Sequence, residues 1–315
     1  MNPEKLEIDH RILVTGACGQ IGTELVAALR QRYGWQQVIA ADIRPATDEL
    51  LRLGPYVQMD VTKKVRVSTV LKTMKVRQVY HLAAILSAKG EADPQAAWDI
   101  NMQGLLNILE QSRQTAVRRV FWPSSIAVLG PDGKPDPRTV YGFSKLAGEY
   151  WCRYYREKCR LDVRSLRYPG LISYSAAPGG GTTDYAIDIF HQALHKGFYS
   201  CFLESGTRLP MMYMPDAIRA TLELMAAPVD KLRVHTAYNV SAMDFTPQEL
   251  AAEIRKHIPE LVMDYQPDFR QQIAGSWPQQ VDDHCARRDW NWQPAYGLDA
   301  MVSDMLENLK KEVYA

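Results

Sequence analysis

Apolar residues fall into two alternating spacings along this chain, and the alternation sets the expected architecture. Residues 12–14 are a short unbroken apolar run, as in a strand buried on both faces. From residue 20 to 33 the apolar positions Ile21, Leu25, Val26 and Leu29 recur at helical spacing, which predicts an amphipathic helix. The pair then repeats. A second strand (38–41) ends on Asp42, and a short polar helix opened by Pro45 runs to about Leu53. Strands follow at 56–61, 78–82 and 119–122, separated by helices at 65–74 and 93–114. A helix from Tyr141 to about Lys158 leads to a last strand ending near Arg167. Such regular alternation predicts an α/β fold with a doubly wound parallel sheet.

Past Tyr168-Pro169-Gly170 the pattern changes. A glycine-rich loop, residues 178–184, leads into a helix through Ile187, Phe190 and Leu194. Shorter elements follow, jointed at Pro210, Pro228, Pro247, Pro259, Pro267 and Pro278, before an amphipathic helix at 301–313. We therefore expect a dinucleotide-type domain at 1–169 and a smaller substrate-binding lobe at 170–315, some of whose segments return to the main fold. No repeats or low-complexity tracts interrupt either part.

Composition narrows the possibilities. A hydrophobic content of 46% over 315 residues suffices for a large core, and the formal net charge of +1 gives no field for nucleic acid or an anionic membrane. No apolar stretch is long enough to span a bilayer, and residues 1–10 are charged, unlike a secretory leader. The five cysteines (Cys18, Cys152, Cys159, Cys201, Cys285) contain no C-x-x-C pair. They read as reduced thiols in a cytoplasmic compartment, and no metal-ligand spacing calls for zinc.

The first strand, turn and helix carry the first chemistry. Gly16, Gly19 and Gly22 are spaced G-x-x-G-x-x-G, and Gln20 and Ile21 open the helix. Glycines let the backbone approach a pyrophosphate, and the helix N-terminus offers free amides and a positive dipole end. A glycine turn alone also caps ordinary helices. Asp42, however, stands twenty residues beyond Gly22, where a carboxylate accepts hydrogen bonds from the adenosine ribose and repels a 2′-phosphate. NAD is thus expected over NADP, with Arg44 as the residue that could accept a phosphate. Asp60 and Val61 either face the adenine or begin the next helix, with Asp60 as its cap. His81 reads as a structural residue, and Leu82, Ala83 and Ala84 allow close backbone approach to the cofactor. Asn101 is the polar residue to watch within its helix.

Tyr141 and Lys145 have the spacing Y-x-x-x-K, so they share one helix face a turn apart. A phenol of pKa ~10 is a poor base at neutral pH. A neighbouring ammonium favours the phenolate and should lower that value, while Ser125 at the preceding strand end can hold the same substrate oxygen. The bland reading of Y-x-x-x-K is a solvated helix turn. Its coincidence with the glycine turn, Asp42 and Ser125 favours catalysis.

The segments TGACGQIG, HLAA, SSIAVLG, YGFSK and YMPDAIRA together resemble the extended short-chain dehydrogenases/reductases, a Rossmann-fold superfamily that includes nucleotide-sugar epimerases and dehydratases. Within it, RYPGLISYSAAPGGGTTDYAIDIFH, HLAAILSAKGE and GSWPQQVDDHCARRDWNW resemble the short-chain-type L-threonine 3-dehydrogenases. That resemblance implies oxidation of the threonine β-hydroxyl to 2-amino-3-oxobutyrate with NAD. It implies Ser125, Tyr141 and Lys145 as the triad, and Ser87, Gly181, Thr182, Thr183 and Trp277 in the substrate pocket. It also implies Asn101, Tyr141, Lys145 and Tyr168 beside the cofactor and a homodimer as the assembly. The loop between Ser125 and Tyr141 is shorter than that family's.

The residues support a small zwitterionic substrate independently. Residues 179–183 offer backbone amides and two hydroxyls for a carboxylate; alternatively the glycines are a joint and Thr182 or Thr183 an N-cap. Trp277 is either a lid or an anchor of the small lobe. An epimerase or dehydratase would want a basic pocket for a diphosphate, for which Arg208, Arg219 and Arg270 are the candidates. A dinucleotide-sensing protein without catalysis would have no need of Ser125, Tyr141 and Lys145. The helices 93–114 and 141–158, with Trp151, Tyr154 and Tyr155, have aromatic surface enough to pack a second subunit.

Overall fold

The computed structural model describes residues 10–175 and 179–313. The charged stretch 1–9 and Pro178, at the head of the glycine loop, lie outside the described residues. The strands are β1 (Arg11–Thr15), β2 (Val38–Asp42), β3 (Tyr56–Gln58), β4 (Val76–His81), β5 (Arg119–Ser125) and β6 (Asp162–Tyr168). Beyond them come β7 (Gly170–Ile172), β8 (Phe198–Cys201), β9 (Leu209–Tyr213), β10 (Tyr238–Asn239), β11 (Met243–Phe245) and β12 (Val262–Tyr265). Seven form one parallel sheet in the order β10-β6-β5-β4-β1-β2-β3. β1 lies inside it, and Ile12, Leu13 and Val14 are fully buried, as a strand covered on both faces requires.

Helices α1 (Gln20–Tyr33), α2 (Asp48–Arg52), α3 (Lys64–Thr73), α4 (Ser87–Ala92), α5 (Pro94–Arg113) and α6 (Val140–Cys159) belong to the first half. The second half holds α7 (Tyr185–Lys196), α8 (Met214–Ala226), α9 (Pro247–Arg255), α10 (Phe269–Gly275), α11 (His284–Trp290) and α12 (Leu298–Val313). Leu25, Val26 and Leu29 of α1 share one apolar cluster with Ala217, Ile218 and Leu224 of α8. On the other face, Val67, Val70 and Leu71 of α3 pack with Leu105, Ile108 and Leu109 of α5 and Cys152 and Tyr155 of α6. This is the doubly wound Rossmann arrangement, whose ligands bind beyond the carboxyl ends of the strands.

A separate core unites α7, α9 and α12 around Ile189, Phe190, Leu250, Ile254, Met301 and Met305. Two small sheets border it, β11-β9-β7 and the parallel pair β12-β8. The chain also re-enters the larger unit: α8 packs on α1 and β6, and β10 adds a strand beside β6.

Three local expectations change. The strand expected to reach residue 61 stops at Gln58, because the Asp60 carboxylate turns the chain by accepting bonds from the Thr62 amide (2.9 Å) and hydroxyl (2.7 Å). Lys63, not Asp60, occupies the N-cap position of α3. The single helix expected from residue 93 is preceded by α4, whose sequence SAKGEA has no apolar period to announce it. Asp93, with extended φ of −144°, separates the two and caps α5 by accepting from the Ala96 amide.

Candidate active site

The glycine turn is shaped by backbone contact. Gly16 has φ +70°, and a Cβ there would lie 2.6 Å from the Ala83 nitrogen. A Cβ on Gly22 would run into the Gly16 carbonyl oxygen and the Ala17 backbone. Gly16 therefore brings β1 against the end of β4, and Gly22 lets α1 start directly beneath the turn. Gly19 caps α1 without any side-chain acceptor for its first amides. The Gln20 Nε2 group is buried and unpartnered beside them. Unused donors at the N-terminus of a fourteen-residue helix fit a pyrophosphate.

Gly16, Gly19, Asp42, Asp60, Val61, Leu82, Ala83 and Ala84 line one cleft of about 510 Å³. Asp42 is nearly buried there and accepts from the Cys18 amide (3.0 Å), the Arg44 amide (3.1 Å) and the Arg44 Nε (3.2 Å). Burial alone would raise its carboxyl, but the Arg44 and Cys18 donors outweigh it and hold it below the usual range. Arg44 is thus tied to the Asp42 carboxylate that lines this cleft. Gly22 and Asn101 do not line the cleft. The Asn101 side chain bonds both the amide (2.8 Å) and the carbonyl (3.1 Å) of Ile85, and also Ser144, pinning the HLAAI segment to α6.

Leu82 and Ala84 continue into a second cavity of about 130 Å³. Gln20, Ile21, Ser87, Ser125, Tyr141, Lys145, Tyr168, Gly181, Thr182, Thr183 and Trp277 all line it. Ser125 ends β5 and accepts from the Ala127 amide, which starts the next turn. Tyr141 and Lys145 lie in the first turns of α6, capped by Thr139, whose hydroxyl accepts from the Gly142 amide. Lys145 is buried, donates to the Pro123 carbonyl (2.6 Å) and sits 4.5 Å from the centroid of the Trp122 ring.

The expected acidification of the phenol by Lys145 does not appear in this geometry. Burial pushes Tyr141 up to about 12, with only the Ser125 hydroxyl pulling it back. Burial also pushes Lys145 down to about 7. The ammonium is spent on Pro123, 5.4 Å from the Tyr141 ring centroid, and desolvation drives both groups toward neutrality.

The substrate-side loop also departs from expectation. Its Gly180 and Gly181 amides both donate to the Asp184 carboxylate at 2.8 Å, so they are not free for an incoming carboxylate. Ser87 and Thr182 are buried with their hydroxyls 3.3 Å apart, joining the α4 segment to the loop. Burial raises the Asp184 carboxyl, opposed by the two amides, Arg270 and Lys89. Trp277 is buried in the core of the small lobe as well as lining the cavity. The Tyr168 hydroxyl is engaged by Thr221, which leaves the rest of that residue to line the cavity wall.

Two participants escaped the sequence reading. Asp184 was legible only as a loop residue; a carboxylate two to four positions after glycines could have signalled an amide-capping turn. Asn107, one helical turn and a half beyond Asn101 on α5, donates to the carbonyls of Val61 (3.0 Å) and Thr62 (2.9 Å) and fixes the far wall of the cleft. His81 is structural as expected. Its Nδ1 meets the Thr15 hydroxyl at 2.7 Å, and burial lowers its pKa to about 3.

Residues 12–241 match the profile of the NAD dependent epimerase/dehydratase family. The chain belongs to that family. It is 52% identical to a partial consensus L-threonine 3-dehydrogenase, covering 96% of this chain and 99% of that one at a TM-score of 0.93. A GalE-like L-threonine dehydrogenase from Cupriavidus necator, in its holo form, is 52% identical over 95% of this chain and 99% of that one, with a TM-score of 0.92. An uncharacterized epimerase/dehydratase of Staphylococcus haemolyticus is 44% identical across 96% of this chain and 98% of its own length. A UDP-glucose 4-epimerase from Thermotoga maritima, at 21% identity and a TM-score of 0.81, shares the fold. Among the described residues, no helix is long and apolar enough to cross a membrane.

Proposed function

We propose that this protein is an NAD-dependent L-threonine 3-dehydrogenase, oxidising the β-hydroxyl of L-threonine to 2-amino-3-oxobutyrate. The observation that carries the reading is the composition of the inner cavity. Ser125, Tyr141 and Lys145 line it together with Ser87, Thr182, Thr183 and Asp184, a polar set that suits a small zwitterion. The arginines an epimerase would turn toward a diphosphate are committed elsewhere. Arg208 pairs with Asp244 and Glu249, Arg219 with Asp216 and Glu223, and Arg270 with Asp268. We take residues 1–169 as the cofactor-binding domain and 170–315 as the lobe that supplies the substrate loop, with the 214–239 stretch returned to the former. The near-complete likeness to proteins described as L-threonine dehydrogenases supports the same substrate.

The residues divide the work as follows. The Gly16–Gly22 turn, the amides of α1 and the Asp42 carboxylate hold NAD, with Leu82 to Ala84 as the backbone floor. When bound, NAD supplies the hydride acceptor and a positive charge over the cavity. Ser125 and Tyr141 hydrogen-bond the β-hydroxyl and orient the Cβ–H bond. Tyr141 takes the hydroxyl proton as general base. Lys145 stands 5.4 Å from the Tyr141 ring centroid, held by the Pro123 carbonyl; in this geometry it does not acidify the phenol, whose loss of a proton would be favoured by the positive charge of bound NAD. The hydroxyls of Ser87, Thr182 and Thr183 take the substrate carboxylate, since the Gly180 and Gly181 amides are already satisfied. Asp184 faces the same cavity and suits the ammonium.

The assembly we propose is a homodimer built on α5 and α6. Trp98, Phe143, Tyr150, Trp151 and Tyr154 are exposed on these two helices, a concentration of aromatic surface that a partner would cover. Tyr155 does not belong to that face: it is buried, and its hydroxyl donates to Glu110 at 3.0 Å. All five cysteines are free thiols, which suits the cytoplasm. The deciding assays are NADH formation with L-threonine, L-serine and L-allo-threonine, and analysis of the sugar product formed from a UDP-sugar. Threonine-dependent NADH is expected; turnover of the UDP-sugar without it favours the epimerase reading.

A further inference from the structure

Glu149 is a fully buried carboxylate that the chemistry above does not use, and its contacts are unusually well placed. It lies one helical turn beyond Lys145 on α6, so Tyr141, Lys145 and Glu149 follow one another along a single helix face. Its Oε1 accepts from the Ser124 hydroxyl (2.6 Å) and the Arg167 Nε (2.7 Å), and its Oε2 from the Arg167 Nη2 (2.6 Å). Arg167 extends the network to Asn239 on β10 (3.2 Å), whose amide donates to the Asp282 carbonyl (2.9 Å).

The register of the sheet gives these contacts their meaning. Ser124 pairs with Arg167 across β5 and β6, and the next pair is Ser125 with Tyr168. The pair gripped by Glu149 therefore immediately precedes Ser125 and Tyr168 in the register, and Ser124 lines the same cavity as those two residues. A bidentate arginine–carboxylate pair is also directional, fixing distance and plane together. One carboxylate therefore ties the heights of three elements: α6 with Tyr141 and Lys145, β5 with Ser125, and β6 with Tyr168.

We propose that Glu149 is a positioning residue that sets the α6 helix against the β5 and β6 strand ends, so that Ser125 and Tyr141 converge on one substrate hydroxyl. The proposal rests on the reading of Ser125, Tyr141 and Lys145 as the reacting groups. Removing Glu149 leaves the glycine turn and Asp42 untouched, so cofactor affinity should be insulated from the change. Catalysis should not be, since a small misplacement of reacting groups is felt in the rate before it is felt in binding.

The test uses Glu149→Gln, together with the double variant Glu149→Met/Arg167→Met, which removes the buried pair as a unit and avoids an unpaired arginine. Wild type and Tyr141→Phe serve as references. The expected result is a kcat for L-threonine at least tenfold lower in both Glu149 variants, with KM and the NADH Kd within twofold of wild type. Crystal structures should show α6 shifted relative to β5. If either folded variant keeps kcat within twofold and α6 in place, or if KM rises and NADH affinity falls in step with the loss of kcat, the clamp is only a stability device and the proposal is overturned. Should the wild type fail to oxidise threonine, the functional reading fails instead. The clamp is then judged on the crystal structures alone: a displaced α6 supports it and an unmoved one overturns it.

Discussion

Replacing Asp42 separates the charge of the ribose site from its hydrogen bonding. In the wild type one carboxylate, almost out of contact with water, holds the Cys18 amide in the glycine turn and ties down Arg44. In Asp42→Ala the ribose diol loses its acceptor, and hydrogen bonds to a charged group contribute roughly 1.5–3 kcal/mol. One such bond lost, with water replacing the other, corresponds to a fall of ~10–100-fold in kcat/KM for NAD, since 1.4 kcal/mol is a factor of ten. For NADP the sign is opposite. Two unit charges ~4 Å apart repel by about 4 kcal/mol at an effective dielectric of ~20, and the half-exposed Arg44 reduces that figure in the wild type. Deleting the carboxylate both removes the repulsion and frees the Arg44 guanidinium for the 2′-phosphate. The NAD/NADP ratio of kcat/KM should therefore fall by ~100–1,000-fold.

Asp42→Asn is the internal control. Its amide oxygen can still accept from Cys18, so the turn should keep its thermal stability while the cofactor ratio still collapses. Asp42→Ala leaves the half-buried Cys18 amide without its acceptor, a loss of ~1 kcal/mol and ~2–4 °C in Tm. Steady-state kinetics with both cofactors and a thermal melt of each variant suffice. A wild type that prefers NADP, or an Asp42→Asn variant with the wild-type ratio, refutes the electrostatic reasoning.

The remaining expectations follow from the same geometry. Tyr141→Phe should lower kcat ~100- to 10,000-fold while the NADH Kd measured by fluorescence stays within twofold. Lys145 is neutral in the folded protein above about 7 but protonated in the unfolded chain up to ~10.4. The unfolded state then binds more protons, so this group makes stability rise with pH between those values; the Tm gap between wild type and Lys145→Met should move in the wild type's favour from pH 7 to 9.5. Ser87→Ala and Thr182→Ala should each raise KM for threonine more than they lower kcat, and L-serine, one methyl smaller, should be a poor substrate by ~1–3 kcal/mol. Trp151→Glu with Tyr154→Glu should give a folded monomer in sedimentation, and an unchanged dimer would move the interface elsewhere.

Which parts of this were legible in the sequence follows from how far each signal travels along the chain. The alternating strands and helices, the glycine turn and the Y-x-x-x-K face are local, because a buried parallel strand must be apolar throughout and a helix repeats its face every turn. Asp42 is nearly as local, being fixed by the end of the second strand. The contacts that decide how the site works are not. The Glu149 carboxylate meets Ser124 and Arg167 only because β5 and β6 are paired in one register, which no spacing within α6 announces. The three arginines of the small lobe looked available for a diphosphate because sequence shows charge but not partner. Arg208, for instance, spans 36 residues to Asp244 and 41 to Glu249. Asp184 reverses the argument for the glycine loop in the same way: the composition of that loop reads as a set of free amides, and a carboxylate a few residues on takes two of them. What the loop leaves facing the cavity is two hydroxyls and a carboxylate. That pairing suits a substrate carrying its own ammonium, and it would repel a diphosphate, so the feature that corrected the loop also strengthens the choice of a small amino acid over a nucleotide sugar.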